Sequence, residues 1–398
     1  MPAASISLAN SPTCLSVSLP GVTDRAFSDA CCPAFRPNTI TSKSELPIKR
    51  FLPWIPPTAS PAINRFSTPL WPSTVILTPP FLSLIHIFGG TNIAAGVVDE
   101  NYNIIARYSI PTGARRSFEE IVADMGRAAK EVAQKAGLSL ADFTSLGVGS
   151  PSCINPKTGL LVFANNMGWH NVPIIEELQK HVDLPVLVYN DADCAALGEA
   201  LAGAAKGYKN ALMITLGTGV GGGMILGGKI FKGADGAGFE PGHTVIVYDG
   251  VLCTCGKKGC LESYGSATGL INQTKAAMAA HPESFMHEFC GHDLSRVDGR
   301  TAFESAKQGD KAAQDVVRQY ISYVAVGIGN LATVLRPEIV IVGGGICNQK
   351  EYLLDPLNEK LRDYVFGAED VGAPKVVAAT LGNDAGIIGA ALLEKCME

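Results

Sequence analysis

His243, Cys253, Cys255 and Cys260 follow the spacing His-x9-Cys-x-Cys-x4-Cys, the last three within Cys253-Thr-Cys-Gly-Lys-Lys-Gly-Cys260. Three thiolates and an imidazole make a tetrahedral zinc donor set, and the glycines between them let the chain turn sharply around an ion. The competing readings are a disulfide or reduced bystander thiols. Eleven cysteines at scattered spacing, without a secretory signal pattern, do not make a disulfide framework. With all four positions filled by protein, the zinc is expected to be structural.

Carboxylates flank this metal set. Glu240 lies three residues before His243 and Glu262 two after Cys260. Carboxylates accept paired hydrogen bonds from vicinal diols, so a metal clip that immobilises two of them suits a sugar. Solvated surface glutamates are the plain alternative. The second ring nitrogen of His243 is also available to a substrate. Farther upstream, Asn190-Asp191 closes the apolar run 185–189 and opens the helical stretch 192–204. An acid there serves as a helix N-cap, or as a general base at the carboxyl edge of a sheet, where open α/β folds place ligands. Asn166-Met-Gly-Trp169 is a polar and aromatic loop that says little alone.

Two glycine turns share one grammar. Phe88-Gly-Gly-Thr-Asn92 leads into strand 93–98, and Leu216-Gly-Thr-Gly-Val-Gly-Gly-Gly223 leads into strand 224–227. Each points free backbone N–H groups and a hydroxyl at one place, which suits phosphate oxygens. Two such turns facing each other suggest a nucleotide held between similar domains, although glycine also serves ordinary turns.

The elements that must position these residues alternate. Apolar runs at 84–88, 93–98, 104–108, 145–149 and 186–189 read as strands, and the amphipathic stretch 117–136 as a helix. Strands at 211–216, 222–226 and 229–231 follow, then helices near 267–279 and at 311–335. The chain ends strand 338–342, helix 352–365, strand 376–379, helix 385–396. This is an α/β pattern. The 398 residues, 47% apolar, suffice for two domains. A net charge of −5 offers no general attraction to nucleic acid or anionic membrane, and neither is expected as a partner.

Residues 1–84 differ in kind. They hold fourteen of the 24 prolines and one of the 43 glycines, Gly21. Prolines at this density interrupt helices and central strands alike, so no packed domain is expected before about residue 84. The opening lacks the cationic start and continuous apolar core of a secretory signal, and a transit peptide fits somewhat better. The run 75–88 is broken by Pro79-Pro80 and too short to span a bilayer. The string Ser83-Leu84-Ile85-His86-Ile87 also looks like translated adapter sequence, which would make the arm non-native.

Together the motifs resemble a bacterial glucokinase of the repressor, open reading frame and kinase (ROK) family, over about residues 89–398. The resemblance rests on Gly89-Gly-Thr-Asn92, Asn166-Met-Gly-Trp169, Asn190-Asp-Ala-Asp193, the glycine turn at 216–223, Glu240-Pro-Gly-His243, the zinc string through Glu262, and Leu381-Gly-Asn-Asp-Ala-Gly386. It implies two ribonuclease-H-like, actin-like ATPase domains around a central cleft: residues 85–190, and residues 191–398 with the zinc loop, the last helix packing back on the first. It implies a cytoplasmic glycolytic kinase that uses ATP and Mg2+, carries structural Zn2+ and forms a homodimer. Asp191 would be the general base for the hexose 6-hydroxyl. Asn166, Asn190, Glu240, His243 and Glu262 would hold the other hydroxyls. Gly89, Gly90, Thr91 and Asn92 with Gly217, Thr218 and Gly219 would take ATP phosphates, and Gly343, Gly344 and Gly345 would lie near the nucleoside.

Two positions depart from the family pattern. Ser152 stands where the family usually has glycine. More seriously, the family pattern Asp-x-Gly-Gly-Thr has its acid, which helps place metal and phosphates, at the position of Ile87. Two alternatives therefore stand beside the kinase: a catalytically impaired sugar-binding protein, and a sugar-responsive repressor. The second would need a DNA-binding helix-turn-helix, and residues 1–84 lack three-helix periodicity.

Overall fold

The computed structural model describes residues 83–88 (backbone only), 92–113, 116–155, 158–164 and 167–396. The expectations for the arm before residue 83, for the turn residues Gly89, Gly90 and Thr91, and for Asn166 lie outside the described residues.

Two five-stranded sheets carry the fold, and they have the same plan. The first contains β1 (Ser83–Phe88), β2 (Asn92–Val98), β3 (Ile104–Pro111), β4 (Leu146–Ser150) and β8 (Val186–Asn190), in the order β3-β2-β1-β4-β8. Between β4 and β8 the chain makes a small antiparallel sheet of β5 (Cys153–Ile154), β6 (Leu161–Ala164) and β7 (Trp169–Val172). The second large sheet contains β9 (Ala211–Leu216), β10 (Val220–Leu226), β11 (Lys229–Ile230), β12 (Ile339–Gly343) and β13 (Lys375–Ala378), in the order β11-β10-β9-β12-β13. In each, a central strand pairs antiparallel with the next strand and parallel with a later one.

Burial follows from position. The edge strand β3 alternates half-buried and exposed residues, while the central strands β4 and β12 are buried throughout and read as near-continuous apolar runs. Helix α1 (Phe118–Lys135) covers the first sheet. Its start is a reciprocal capping box: Glu120 N–H donates to Ser117 Oγ at 3.2 Å, and Ser117 N–H to Glu120 Oε2 at 3.0 Å. The helix Lys311–Leu335 contributes Tyr320, Val324 and Ile328 to the core of the second sheet.

A third core joins the two sheets around helix α2 (Ile174–Gln179)'s successor, α3 (Asp191–Leu201), and the last helix, Asp384–Ala391. Ile387, Ile388 and Leu393 pack there with Val98, Leu197 and Ile341. The two helices touch backbone to backbone: a Cβ on Gly389 would collide with the carbonyl of Cys194, and one on Gly147 of β4 with the carbonyl of Ala390. The fully buried carboxylate of Glu199 fastens the turn before the last helix. It accepts from the N–H groups of Thr380 at 2.9 Å and Leu381 at 2.7 Å, and from Ala204 N–H at 2.7 Å. No described helix is long and apolar enough to cross a membrane.

Candidate active site

One wall of the main cavity is the junction of β8 and α3. Asn190 takes the N-cap conformation, its Oδ1 accepting from Ala192 N–H at 2.8 Å, and its Nδ2 donates to the carbonyl of Ser152 at 3.3 Å. Because Asn190 is the cap, Asp191 becomes the first helical residue and lines the cavity, with one oxygen 2.9 Å from the same Ala192 N–H. Burial pushes the Asp191 carboxyl above its ordinary range, against the pull of the backbone N–H groups of Ala192 and Asp191. Ser152 fits without strain: it is buried and its hydroxyl donates to Ser150 Oγ at 2.9 Å.

The opposite wall is built from the β9–β10 turn and the loop that returns to it. Glu262 opens the short helix Glu262–Gly265, and its Oε2 accepts from Val220 N–H at 3.1 Å while Oε1 accepts from Thr254 Oγ1 at 3.1 Å. A Cβ at Gly219 would collide with that carboxylate, so the turn and the acid are fitted to each other. Glu240 precedes the tight turn Pro241–His243. Desolvation raises its carboxyl, His243 lowers it, and the like charges of Asp191 and Glu262 raise it further.

The metal set assembles as its spacing implies. The ligand atoms of His243, Cys253, Cys255 and Cys260 all lie within 4.8 Å of one another. Cys255 Sγ is 3.6 Å from Cys260 Sγ, and Cys253 Sγ is 3.7 Å from His243 Nδ1. Zinc–sulfur and zinc–nitrogen bonds imply tetrahedral edges of about 3.5–3.8 Å, so the donors fit zinc in kind and spacing. Burial, with the neighbouring cysteines, pushes the Cys260 thiol up to about 12, so an apo cluster resists the ionisation that a dication would draw out.

The cavity between these walls has a volume of about 610 Å3 and brings together Asn190, Asp191, Glu240, His243, Glu262, Gly217 and Gly219. Other expected positions stand outside its lining. Thr218 is exposed, its carbonyl accepting from Thr268 Oγ1 at 2.7 Å. Gly343 sits opposite Thr215 in the β9–β12 ladder, Gly344 packs on Leu216, Gly345 follows them, and Asn92 begins β2. Sequence reasoning missed Cys153, Phe163 and Thr215 in the lining, which carry no motif signal. It also gave no role to Asp193, which lies in the quoted motif two residues after Asp191 and so on another face of the helix. That residue is 6% exposed, and its carboxyl is pushed up to about 8 by burial, with Glu240 and Asp191 adding to the rise and Lys232 opposing it.

The ROK family pattern matches residues 86–396. A glucokinase of Streptomyces coelicolor is 36% identical over 309 residues, 77% of this chain and 95% of that protein. The crystal structure of a ROK family glucokinase from Streptomyces griseus, in complex with glucose and AMPPNP, is 35% identical with a TM-score of 0.66, covering 79% of this chain and 98% of the other. A ROK family transcriptional regulator, a homologue of the Escherichia coli MLC protein, superposes with a TM-score of 0.69 at 25% identity, covering 80% of this chain and 78% of the regulator.

Proposed function

The chain belongs to the ROK family, with the α/β fold of actin-like ATPases, and from that premise we propose that it is an ATP-dependent kinase of the glucose 6-hydroxyl. The observation that supports this most is the meeting of Asp191 with Glu240, His243 and Glu262 across one cavity from the Gly217–Gly219 turn. On this reading residues 85–190 and 191–398 are the two domains that close on the substrates.

In the reaction, Asp191 takes the proton of the 6-hydroxyl as that oxygen bonds to the γ-phosphorus of ATP. The bond from that phosphorus to the β–γ bridging oxygen breaks, and ADP leaves. A carboxyl held above its ordinary range is a stronger base when ionised, which suits a proton acceptor. Asn190, Glu240, His243 and Glu262 receive the remaining hydroxyls, with Asn166 the further sugar ligand. The glycine turns at 89–91 and 217–219 present N–H groups to the phosphates. Zinc would be held by His243, Cys253, Cys255 and Cys260 and would give the loop its fixed shape and no chemistry.

Magnesium fits less well. Ile87 offers no oxygen donor where the family pattern has Asp, and it sits in β1 opposite Ala94 and Gly149. Asp384, another acid of the quoted motifs, is already engaged by Arg107 through two hydrogen bonds, at 2.5 and 2.6 Å. We therefore propose that the chain binds glucose but turns over slowly. Losing one preorganised electrostatic group costs about 3–4 kcal/mol of transition-state stabilisation.

A coupled ADP-release assay over a panel of hexoses, on the full chain and on Ile87→Asp, tests the reading. Replacement by Asp should raise turnover at least about tenfold with little change in sugar affinity. Full activity in the unmodified chain would remove the impairment claim. Sugar binding without ADP release in either protein would favour the sugar-responsive regulator, the reading to which the likeness to the MLC homologue lends weight.

A further inference from the structure

Beside the main cavity lies a smaller one of about 160 Å3, and Asn190 lines both. Tyr189, Asp193, Lys232 and Gly236 also line it. Lys232 starts the loop that ends at Glu240, and Gly238 N–H donates to its carbonyl at 3.1 Å, closing the loop on itself. Its ammonium sits 3.8 Å from the centroid of the Tyr189 ring, the residue just before Asn190 and Asp191. Asp193 faces the same space. Asp193 is buried, no hydrogen bond or ion pair joins its carboxyl to another of the described residues, and Lys232 is the cation acting on it.

The loop needs such a hold. Glu240 and Asp191 repel each other across the cavity, and they arrive from different sheets. Residues 233–235 are exposed, and the carboxylate of Asp235 is spent on the loop's own Ala237 N–H, at 3.1 Å. On the β5 side Cys153 Sγ donates only weakly, at 3.9 Å, to the carbonyl of Gly236.

We propose that Lys232 is a positioning residue: seated on the Tyr189 ring and facing Asp193, it latches loop 232–240 to the strand end bearing Asn190 and Asp191, and so fixes Glu240 for the sugar. The proposal deepens the kinase reading and rests on it for the identity of the ligand. The latch itself is a property of the free protein. A cation seated on an aromatic ring in a half-buried site is worth a factor of about three to thirty in an equilibrium.

The test uses the full chain, with hydrogen exchange of segment 231–243 in the absence of sugar and calorimetric binding of glucose. Lys232→Met and Tyr189→Leu should each speed exchange in that segment and weaken glucose binding by about three- to thirtyfold, while kcat changes less than about threefold. Lys232→Arg and Tyr189→Phe, which keep the cation and the ring, should stay near the parent. The double variant Tyr189→Leu with Lys232→Met should be no worse than either single change, because the two act as one contact. Unaltered exchange in Lys232→Met would overturn the latch, as would equal losses in Lys232→Met and Lys232→Arg, or full additivity in the double variant. Faster exchange confined to the segment, in a parent chain that binds no hexose, would support the latch and sink the kinase reading instead.

Discussion

The two walls of the cavity place their acids by different means. Asp191 stands where a strand becomes a helix, and the backbone that aims it is held by β4–β8 pairing and by the Asn190 cap. Glu240, His243 and Glu262 stand on irregular chain between β11 and the helix Ala267–Ala280, where few ladder hydrogen bonds act. There a zinc ion on His243, Cys253, Cys255 and Cys260, as proposed above, would do what the sheet does on the other wall. Regular structure aims a side chain with backbone bonds alone, whereas a loop must be cross-linked before a group on it can be aimed as closely.

The sharpest way to break this comparison is to remove chemistry from the first wall without altering its shape. Asp191→Asn should lower turnover by roughly two to four orders of magnitude while glucose still binds, the usual scale for losing a positioned base. Turnover close to the parent's, in the same coupled assay, would take the base role from Asp191.

The second wall should fail by its support. Metal analysis of freshly purified, reduced protein should find one zinc per chain, and Cys255→Ser should weaken glucose binding by about tenfold or more, since structural metal binding is folding energy for its loop. The α3 wall should keep its exchange protection in that variant. Protein lacking zinc but binding glucose normally would end the idea that the loop depends on its cross-link.

A third test concerns the charge hidden behind the first wall. Asp193 keeps its proton up to about pH 8 in the fold but titrates near its ordinary value of 3.8 when unfolded. The folded form therefore binds the proton more tightly, and the stability tied to it, full below pH 4, drains away as the pH rises towards 8. Asp193→Asn should remove that drain and gain on the order of a few kcal/mol at pH 8 over its effect at pH 4, read by denaturant unfolding. Parallel pH profiles for the two proteins would show that Asp193 is not held protonated. The smallest effect on stability, read by the same unfolding, should come from Asn190→Ala, which loses a cap worth about 1 kcal/mol and leaves the Ser152 carbonyl without its donor.

Much of this was legible in the residues, for reasons the structure makes plain. The helix 311–335 is long and strongly patterned, so its limits could be read off directly, and the His-x9-Cys-x-Cys-x4-Cys spacing singles out four side chains whose ligand atoms the fold brings within 4.8 Å of one another. The small sheet was not legible, because strands of two to four residues such as Cys153–Ile154 carry too little alternation to recognise. Asp193 was passed over because burial is a property of what packs against a residue, here Lys232 and the glycines of β10, and neighbours in space leave no mark in the local sequence. The division of labour between Asn190 and Asp191 was hidden for a related reason: either could cap the helix, and only the hydrogen bond to Ser152, 38 residues away, decides between them.

The last helix rests on β4 and α3, so a segment made almost 200 residues after α3 finishes a layer begun near residue 83. While about 200 residues beyond α3 are still being added, at roughly 5–20 per second, Ile387 and Ile388 are absent and the apolar face they cover stays open for something like 10–40 seconds. A ribosome that stalls or stops short in that interval releases a chain whose first sheet has a bare side, and the same holds for a truncation that removes only residues 384–396. Synthesis of residues 384–396 is thus what closes the apolar side of a sheet made long before them.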